Sequence, residues 1–373
     1  MIANPPAATP VLVVNAGSSS IKLALCDRKG RRLWQEQRSW GAPGVVMPAT
    51  GGAAAPEQSL EVLLGQWLAP LLRDIQPRAD LVVHRLVHGG SRFTAPTALT
   101  VEVRGALAEL VPLAPLHNGP ALSVIQWLAE QLGLEQWACF DTAFHASLAE
   151  PAFTYAIPEA WRQQGLRRFG FHGLNHQHVG ETAARTLRPP LRLISCHLGA
   201  GCSLCAIAID SDGVPRSVDT TMGFTPLEGL VMASRSGSVD PGLLLHLLRS
   251  GVEAGELDLA LNRRSGLLGL SGLSGDMREL RRQAAAGHGG AQLAIAVFRH
   301  RLLQGIGAMA ASLGGVDAIA LTGGIGEHDE CLAAELEKAL AWLAPLQWLR
   351  VPADEEGLMV RQCVAARLGE ALA

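Results

Sequence analysis

The chain has 373 residues, a formal net charge of −3 and 17% charged residues, so two or three folded domains are expected and global disorder is excluded. No basic run is present, which argues against nucleic acid or an anionic membrane as a partner. No apolar stretch reaches about 18 residues, and residues 1–10 lack the basic start of a signal peptide. The seven cysteines are scattered, which fits a reducing cytoplasm better than a disulfide framework. We therefore predict a cytoplasmic protein.

Apolar runs and glycine-rich turns predict strands that alternate with helices along the chain. The predicted strands are 11–16, 21–26, 80–87, 136–141, 192–198, 202–209 and 316–322, and the predicted helices are 58–75, 119–132, 290–312 and 355–368. Such alternation indicates an α/β protein with a parallel or mixed sheet.

A weak internal repeat relates the two halves of the chain. Asn15 and His197 each stand near the end of a predicted strand, before a glycine-rich turn, a second strand and an Asp–Gly pair. The two residues are 182 positions apart, close to half of the chain length. The repeat predicts two domains of the same design.

Three turns have the composition of anion-binding loops, at 17–20, 199–201 and 323–326. Glycine lets backbone N–H groups approach a phosphate, and in the first turn Ser18 and Ser20 add hydroxyl donors while Lys22 follows on the next strand. A predicted helix after the third turn favours negative charge. Ordinary hairpin turns are the alternative, although three turns of one design weaken it. None of them has the GxxxxGK[ST] pattern.

Two arginines and two carboxylates stand out from their apolar or glycine-rich surroundings. Arg85 lies inside a predicted strand, where it must meet an anion in a cleft or form a structural salt bridge. Arg235 lies in a loop of small residues, so the two arginines could clamp a carboxylate and a phosphoryl group. Asp141 ends a predicted strand and, with Glu355, would suit Mg²⁺, which takes few protein oxygens.

Histidines and cysteines suggest a metal only weakly. His172, His176 and His178 lie close together without a further ligand motif, so His172 is better interpreted as a donor to a phosphoryl oxygen than as a zinc ligand. Cys202 and Cys205 would face opposite sides of one strand, which disfavours a redox or metal role.

Ten segments in this order resemble the acetate kinases over residues 11–365: NAGSSSIKLAL, HRLVHGG, LAPLHNGPAL, FDTAFHASL, RRFGFHG, CHLGAGCS, DTTMGFTPLEGL, SRSGSVDPG, SGLSGDMREL and LTGGIGEH. The resemblance implies a two-domain actin-like fold (acetate and sugar kinase, Hsp70, actin) with a duplicated βββαβαβα core. It places an N-terminal domain at 1–147, joined by the C-terminal helix 357–373, and a nucleotide-binding domain at 148–356. It also implies a homodimer that uses ATP and Mg²⁺ (or Mn²⁺) to make acetyl phosphate and ADP reversibly.

The resemblance implies roles for individual residues. Catalysis would rest on Asp141, on Arg85 and Arg235, and on His172, of which Arg235 and His172 stabilise the transition state. The candidate nucleotide- and phosphate-binding residues are Asn15, Ser18, Ser20, Lys22, His197, Gly199, Gly201, Asp276, Arg278, Gly324, Ile325 and Gly326. The acetate site would comprise Arg85, Val87, Leu116, Phe171 and Pro226, the metal ligands Asn15, Asp141 and Glu355, and His117 would be a further active-site histidine.

Three positions depart from the family pattern. Ala200 stands where the family usually has asparagine, Ser238 where it has an acidic residue, and His328 where it has asparagine. These changes leave an altered phosphoryl donor open as a hypothesis. A propionate or butyrate kinase is the alternative within enzymes, although Val87 should make propionate a slower substrate. A nucleotide-sensing actin-like protein without activity is the alternative outside them.

Overall fold

The computed structural model describes residues 9–17, 20–39, 59–75 and 79–370, with the side chains of Asp74, Pro115 and Leu116 left aside. The chain forms two compact units. Unit 1 comprises Met1–Ala143 and Asp354–Ala373, and unit 2 comprises Phe144–Ala353. No helix among the described residues is long and apolar enough to span a bilayer.

The described residues contain strands and helices in the following chain order. The strands are β1 (Val11–Ala16), β2 (Ser20–Cys26), β3 (Arg32–Ser39), β4 (Leu81–Leu86), β5 (Thr97–Ala98), β6 (Glu135–Phe140), β7 (Leu191–Leu198), β8 (Cys202–Ile209), β9 (Pro215–Thr220), β10 (Ala318–Thr322) and β11 (Gln347–Arg350). The α-helices are α1 (Leu60–Leu63), α2 (Ala69–Ile75), α3 (Val101–Ala108), α4 (Pro115–Gln131), α5 (Glu150–Phe153), α6 (Glu159–Arg162), α7 (Gly173–Thr186), α8 (Pro241–Arg249), α9 (Ala254–Arg263), α10 (Gly266–Ser271), α11 (Met277–Ala285), α12 (Gly289–Ser312), α13 (Gly323–His328), α14 (Glu330–Ala339) and α15 (Glu355–Leu368). A π-helical segment, Leu64–Leu68, joins α1 to α2, and 3₁₀ turns lie at Val111–Leu113, Ala143–Ser147 and Ala341–Leu343.

The sheet of unit 1 has the order β3-β2-β1-β4-β6-β5. The first three strands are antiparallel neighbours, whereas β1, β4 and β6 run parallel. The continuous apolar run of β1 is almost fully buried, as expected for a parallel strand covered on both faces. The carboxyl ends of β1, β4 and β6 therefore meet at one edge of this sheet, where an α/β protein binds its ligands.

The sheet of unit 2 has the order β11-β10-β7-β8-β9. Here too the first three strands, β7 to β9, are antiparallel neighbours, and β7, β10 and β11 run parallel. Apart from the added strand β5, the two sheets have the same connectivity. The prediction of a duplicated α/β core is therefore confirmed.

The predicted strands and helices are all present, and their ends differ from the prediction by at most four residues. The strands β3, β5, β9 and β11 were not predicted. Each lies at or beside the rim of its sheet and carries one or more polar residues, so the apolar run that marks a buried strand is missing. Helix α4 begins at Pro115, four residues before the prediction, because proline is well suited to the first turn of a helix.

Candidate active site

Arg85, which is half-buried, forms an ion pair with the buried Asp141 at the carboxyl ends of β4 and β6 in unit 1. Arg85 Nε lies 2.9 Å from Asp141 Oδ1 and Nη2 lies 2.6 Å from Oδ2, and Asp141 is 1% exposed. Burial opposes the charge on Arg85, but the carboxylate outweighs it and raises the pKa of Arg85 above its ordinary value. The pair fixes the plane of the guanidinium while Nη1 takes no part in it. Of the two alternatives for Arg85, the salt bridge is thus present, and it leaves one edge of the group for an anion.

Helix α15 brings two neighbouring glutamates to unit 1, and they differ in their surroundings. Glu356 is buried and lies 2.5 Å from Lys22 Nζ. Burial disfavours its charged form, but the ion pair prevails and lowers the pKa of Glu356. Glu355 is half-buried in the first helical turn and raises the pKa of Arg85 through its charge. Lys22, which is predicted to bind phosphate, also links β2 to α15 through this ion pair.

Unit 1 offers oxygen donors that suit magnesium. Asn15 is half-buried near the end of β1, and Asp141 directly follows the parallel strand β6. Glu355 supplies a second carboxylate. Among the described residues, no three His, Cys, Asp or Glu side chains form a ready metal cluster. One or two carboxylates with an amide oxygen fit a cation that keeps waters and nucleotide phosphates as its other ligands.

In unit 2, His172 lies over the glycine turn in a strained backbone conformation. Its φ of 55° makes it the one non-glycine residue with positive φ among the described residues. Such strain persists where the surrounding structure imposes it, often at functional sites. A Cβ on Gly201 would lie 3.1 Å from Nε2 of this ring, and the ring stacks on His197 at 4.3 Å between centroids. Two imidazoles therefore flank the turn that was predicted to hold phosphate.

Arg235 is the second candidate arginine, and its setting differs from that of Arg85. Its guanidinium has no hydrogen bond or ion pair within the part of the chain that the structure describes, and Nη1 lies 3.8 Å from the Cβ position of Gly201. Burial lowers the pKa of Arg235, and the nearby Arg263 lowers it further. A cation in such a place lacks a counter-ion that an anionic ligand would supply.

A pocket of about 830 Å³ opens beside these residues in unit 2. Its walls are Gly199, Ala200, Ala233, Gly275, Asp276, Met277, Arg278, Arg281, Gly324, Ile325, His328, Asp329, Glu330 and Cys331. It is large enough for a nucleotide. It brings together five of the predicted nucleotide residues: Gly199, Asp276, Arg278, Gly324 and Ile325.

The loop at the end of β10 shapes this pocket. Gly323 has a φ of 77°, and a Cβ there would lie 2.8 Å from the carbonyl oxygen of Leu198, so glycine is required. Helix α13 begins at once, which places Gly324 and Ile325 on the pocket wall and leaves Gly326 buried behind it. Arg281 is a wall residue that sequence reasoning missed, and it is held by Asp329 at 3.1 Å.

Several other predicted residues have a definite place. Ser20 begins β2 and is half-buried, whereas Ser18 and the side chain of Leu116 lie outside the described residues. In the predicted acetate site Phe171 is 1% exposed, and Val87 and Pro226 are half-buried. His117 lies in the first turn of α4 and is half-buried.

Two of the three departures from the family pattern line the pocket. Ala200 is exposed on its wall, next to Gly199, and His328 lies at the end of α13. Ser238 is not one of the wall residues and exchanges hydrogen bonds with Gly229, its Oγ accepting at 3.0 Å. Only Ala200 and His328 are therefore placed to alter nucleotide contacts.

The histidines and cysteines that could suggest a metal have other partners. His176 lies between Ser195 and Ser203, and His178 donates to the carbonyl of Pro352. Cys202 and Cys205 are both buried in β8, and burial raises the pKa of each thiol to about 12. His176, Cys202 and Cys205 therefore belong to the interior of unit 2, whereas His178 is half-buried.

The sequence profile of the Acetokinase family matches residues 10–348. The chain belongs to this family. An acetate kinase of Synechococcus sp. (strain JA-2-3B'a(2-13)) is 49% identical over 343 residues, which cover 85% of this chain and 84% of that protein. The crystal structure of Porphyromonas gingivalis acetate kinase matches with a TM-score of 0.83 at 32% identity, covering 96% of this chain and 99% of that one. A propionate kinase of Francisella tularensis subsp. tularensis SCHU S4 matches with 0.84 at 29% identity, covering 95% and 98%. The resemblance to acetate kinases and the actin-like fold class are thus confirmed.

Proposed function

We propose that this chain is an acetate kinase that transfers the γ-phosphoryl group of ATP to acetate and forms acetyl phosphate and ADP reversibly. The observation that carries the proposal is Arg235, a cation without a counter-ion among the described residues, beside the glycine turn and His172. A transferring phosphoryl group is the anion that such a position would stabilise. The names of the family relatives support acetate as the acceptor.

The mechanism needs positioning and charge neutralisation more than acid–base chemistry. Acetate is already a nucleophile at neutral pH, so no side chain has to remove a proton from it. Arg85, oriented by Asp141, would hold the acetate carboxylate through its remaining N–H groups. Arg235 and His172 would then donate to the phosphoryl oxygens as the group moves in line between oxygen atoms. No phosphoenzyme is required.

Magnesium (or manganese) is the proposed metal, held by Asp141 and Glu355 with the amide oxygen of Asn15. When bound, it would neutralise charge on the nucleotide phosphates. Binding of the metal can be followed by isothermal titration of the nucleotide complex, with Glu355→Gln as the variant expected to weaken it. Metal affinity equal to wild type in that variant would contradict this ligand set.

A hydroxamate assay tests the function directly, because acyl phosphates form coloured acyl hydroxamates. We expect ATP- and acetate-dependent product, and no product above background would end the proposal in favour of a nucleotide-sensing protein. The same assay with acetate, propionate and butyrate ranks the acceptors by kcat/KM. Val87 should make propionate slower by about 10-fold, since one methylene is worth about 1–3 kcal/mol of discrimination. Equal or higher kcat/KM for propionate would favour the propionate kinase alternative.

The identity of the phosphoryl donor is a separate question. It arises because Ala200 stands where the family usually has asparagine, so a side-chain amide is missing from the pocket wall. ATP, GTP and pyrophosphate should be compared as donors, together with the variant Ala200→Asn. If the amide matters, this variant should change the donor ranking. An unchanged ATP preference in both proteins would remove the hypothesis of an altered donor.

We further propose a cytoplasmic homodimer. Helix α8 supports the dimer, because Leu243, Leu245 and Leu248 are 47%, 50% and 41% exposed on a helix that has no buried residue. Light scattering after size-exclusion chromatography should give about twice the chain mass of 39.4 kDa. A monomer at micromolar concentration would contradict this proposal.

A further inference from the structure

A chain of buried hydrogen bonds leads from the interior of unit 2 to His172. Ser195 Oγ lies 2.8 Å from His176 Nδ1, and His176 Nε2 lies 2.7 Å from Ser203 Oγ. Ser203 Oγ is in turn 2.9 Å from His172 Nδ1. Ser195, His176 and Ser203 are each 0% exposed. Because none of these side chains has solvent-exposed surface, each must find its hydrogen-bond partners inside the protein.

The donor and acceptor in each of these hydrogen bonds follow from Ser195, the residue at their inner end. Within the described residues, the Ser195 hydroxyl has one hydrogen-bond partner, Nδ1 of His176. A buried O–H group has to donate, so Ser195 donates to Nδ1 of His176. Burial lowers the pKa of His176 well below its ordinary value, as do the nearby His145 and His197, so the ring is neutral. Its single proton is then on Nε2, from which it donates to Ser203.

The hydroxyl proton of Ser203 then has one remaining acceptor, Nδ1 of His172. Ser203 accepts from His176 and donates to Nδ1 of His172. With Nδ1 acting as acceptor, a neutral His172 carries its proton on Nε2. That is the edge of the ring that lies against Gly201, since the Cβ position of Gly201 is 3.1 Å from Nε2 and from Cε1.

We propose that Ser203 is a positioning residue that, backed by His176 and Ser195, holds His172 in the tautomer that presents an N–H group to the transferring phosphoryl oxygen. The inference rests on the proposed function for the identity of the anion alone. A histidine with its proton on Nδ1 would present a lone pair to the phosphate and repel it. Ser203 does not touch the reacting atoms but decides which edge of His172 donates.

The tautomer can be measured without substrate. Long-range ¹H–¹⁵N spectra of protein labelled with ¹⁵N-histidine distinguish the two neutral forms, and His172→Gln identifies the signal by its loss. Above the pH at which His172 titrates, we expect the wild-type protein to show the Nε2-protonated form. The Nδ1-protonated form would overturn the inference, and this outcome depends neither on a variant nor on catalytic activity.

The variants then connect the tautomer to the rate. Ser203→Ala should give mixed tautomers of His172 and lower kcat on the order of 10-fold, about the value of one directed hydrogen bond, with KM for acetate and ATP changed less than about twofold. Ser195→Ala should also mix the tautomers, because His176 loses its direction. Ser217→Ala is the matched control: Ser217 is a buried serine, 2.8 Å from Nδ1 of His145, outside the chain that leads to His172. It should leave the His172 tautomer unchanged.

The outcomes separate the two proposals. If the wild-type protein lacks acetate kinase activity, the proposed function fails while the tautomer result stands. If the wild-type protein is active and Ser203→Ala keeps both the Nε2-protonated form and the full kcat, the positioning role of Ser203 is wrong.

Discussion

Arg85 and Arg235 are predicted to contribute oppositely to stability although both are expected to serve the reaction. Arg85 is paired with the buried Asp141, so Arg85→Leu leaves a buried carboxylate without a partner. Removal of one partner of such a pair costs about 3–5 kcal/mol, which is roughly a 10 °C fall in the melting temperature for a unit of this size. Arg235 has no counter-ion among the described residues, so Arg235→Leu removes a cation that burial already disfavours. We expect the free energy of unfolding to stay unchanged or to rise by up to about 1 kcal/mol.

Activity should fall in both variants. Loss of one preorganised charge donor from a phosphoryl-transfer site costs on the order of 10²–10³ in kcat. The measurements are melting by differential scanning fluorimetry and initial rates in the hydroxamate assay. Arg216→Leu is the control, because Arg216 forms exposed ion pairs with Asp210 and Asp212 that should be worth less than about 1 kcal/mol. If Arg235→Leu melts as early as Arg85→Leu, Arg235 has a structural partner and the anion-site reasoning is refuted.

Three further predictions follow from single positions. Gly201→Ala brings a methyl group 3.1 Å from His172 and should lower kcat about 10-fold or more at unchanged stability. Gly307→Ala is the control, because its methyl group would have no atom within 4 Å and should leave kcat unchanged. Equal kcat values in the two variants would contradict the close approach of Gly201 to His172. Glu356→Gln should cost about 2 kcal/mol at pH 7. The difference in the free energy of unfolding between wild type and variant can be measured by urea unfolding at several pH values. Because folding lowers the pKa of Glu356, this difference should persist above the unfolded pKa of about 4.3 and vanish as the pH falls through the folded pKa. A difference that does not change with pH would argue against the ion pair. Cys331 is the one exposed residue among the seven free cysteines, and it lines the pocket. Iodoacetamide should therefore label Cys331 first, and ADP should slow this labelling, which mass spectrometry can follow. Equal labelling rates with and without ADP would place the nucleotide elsewhere.

The fold was largely predictable because its central strands are buried on both faces. Apolar runs such as β1 and β10 need no tertiary information to be recognised, and the repeat of strand, turn and strand already indicated two similar sheets. The strand β3 shows the limit. Its residues are mostly exposed and polar, and it is a strand because β2 offers it a free edge rather than because of its own composition.

The candidate site was predictable as a set of residues but not as a set of partners. Arg85 and Asp141 were both recognised from their apolar surroundings, yet they are 56 positions apart and meet only through the parallel pairing of β4 with β6. Lys22 was assigned to phosphate because it follows a glycine turn, and its pairing with Glu356 depends on how α15 packs. Ser203 was missed altogether, because a serine inside a strand gives no local signal of the two imidazoles beside it.

The duplicated topology explains why the two glycine turns differ in chemistry although they share a position. In both units the turn follows the central parallel strand, β1 or β7, and the next parallel strand ends beside it. In unit 1 that neighbour, β4, carries Arg85, whose charge is balanced by Asp141. In unit 2 the neighbour, β10, ends in Thr322, whose register partner is His197, and the cation Arg235 comes from a loop instead. The strand beside the first turn therefore carries a balanced ion pair suited to orienting a small carboxylate. The second turn adjoins two imidazoles and an arginine without a counter-ion among the described residues, a setting suited to a phosphoryl group. The backbone alone would allow either ligand at either turn, and the side chains of the neighbouring strands and loops make the difference.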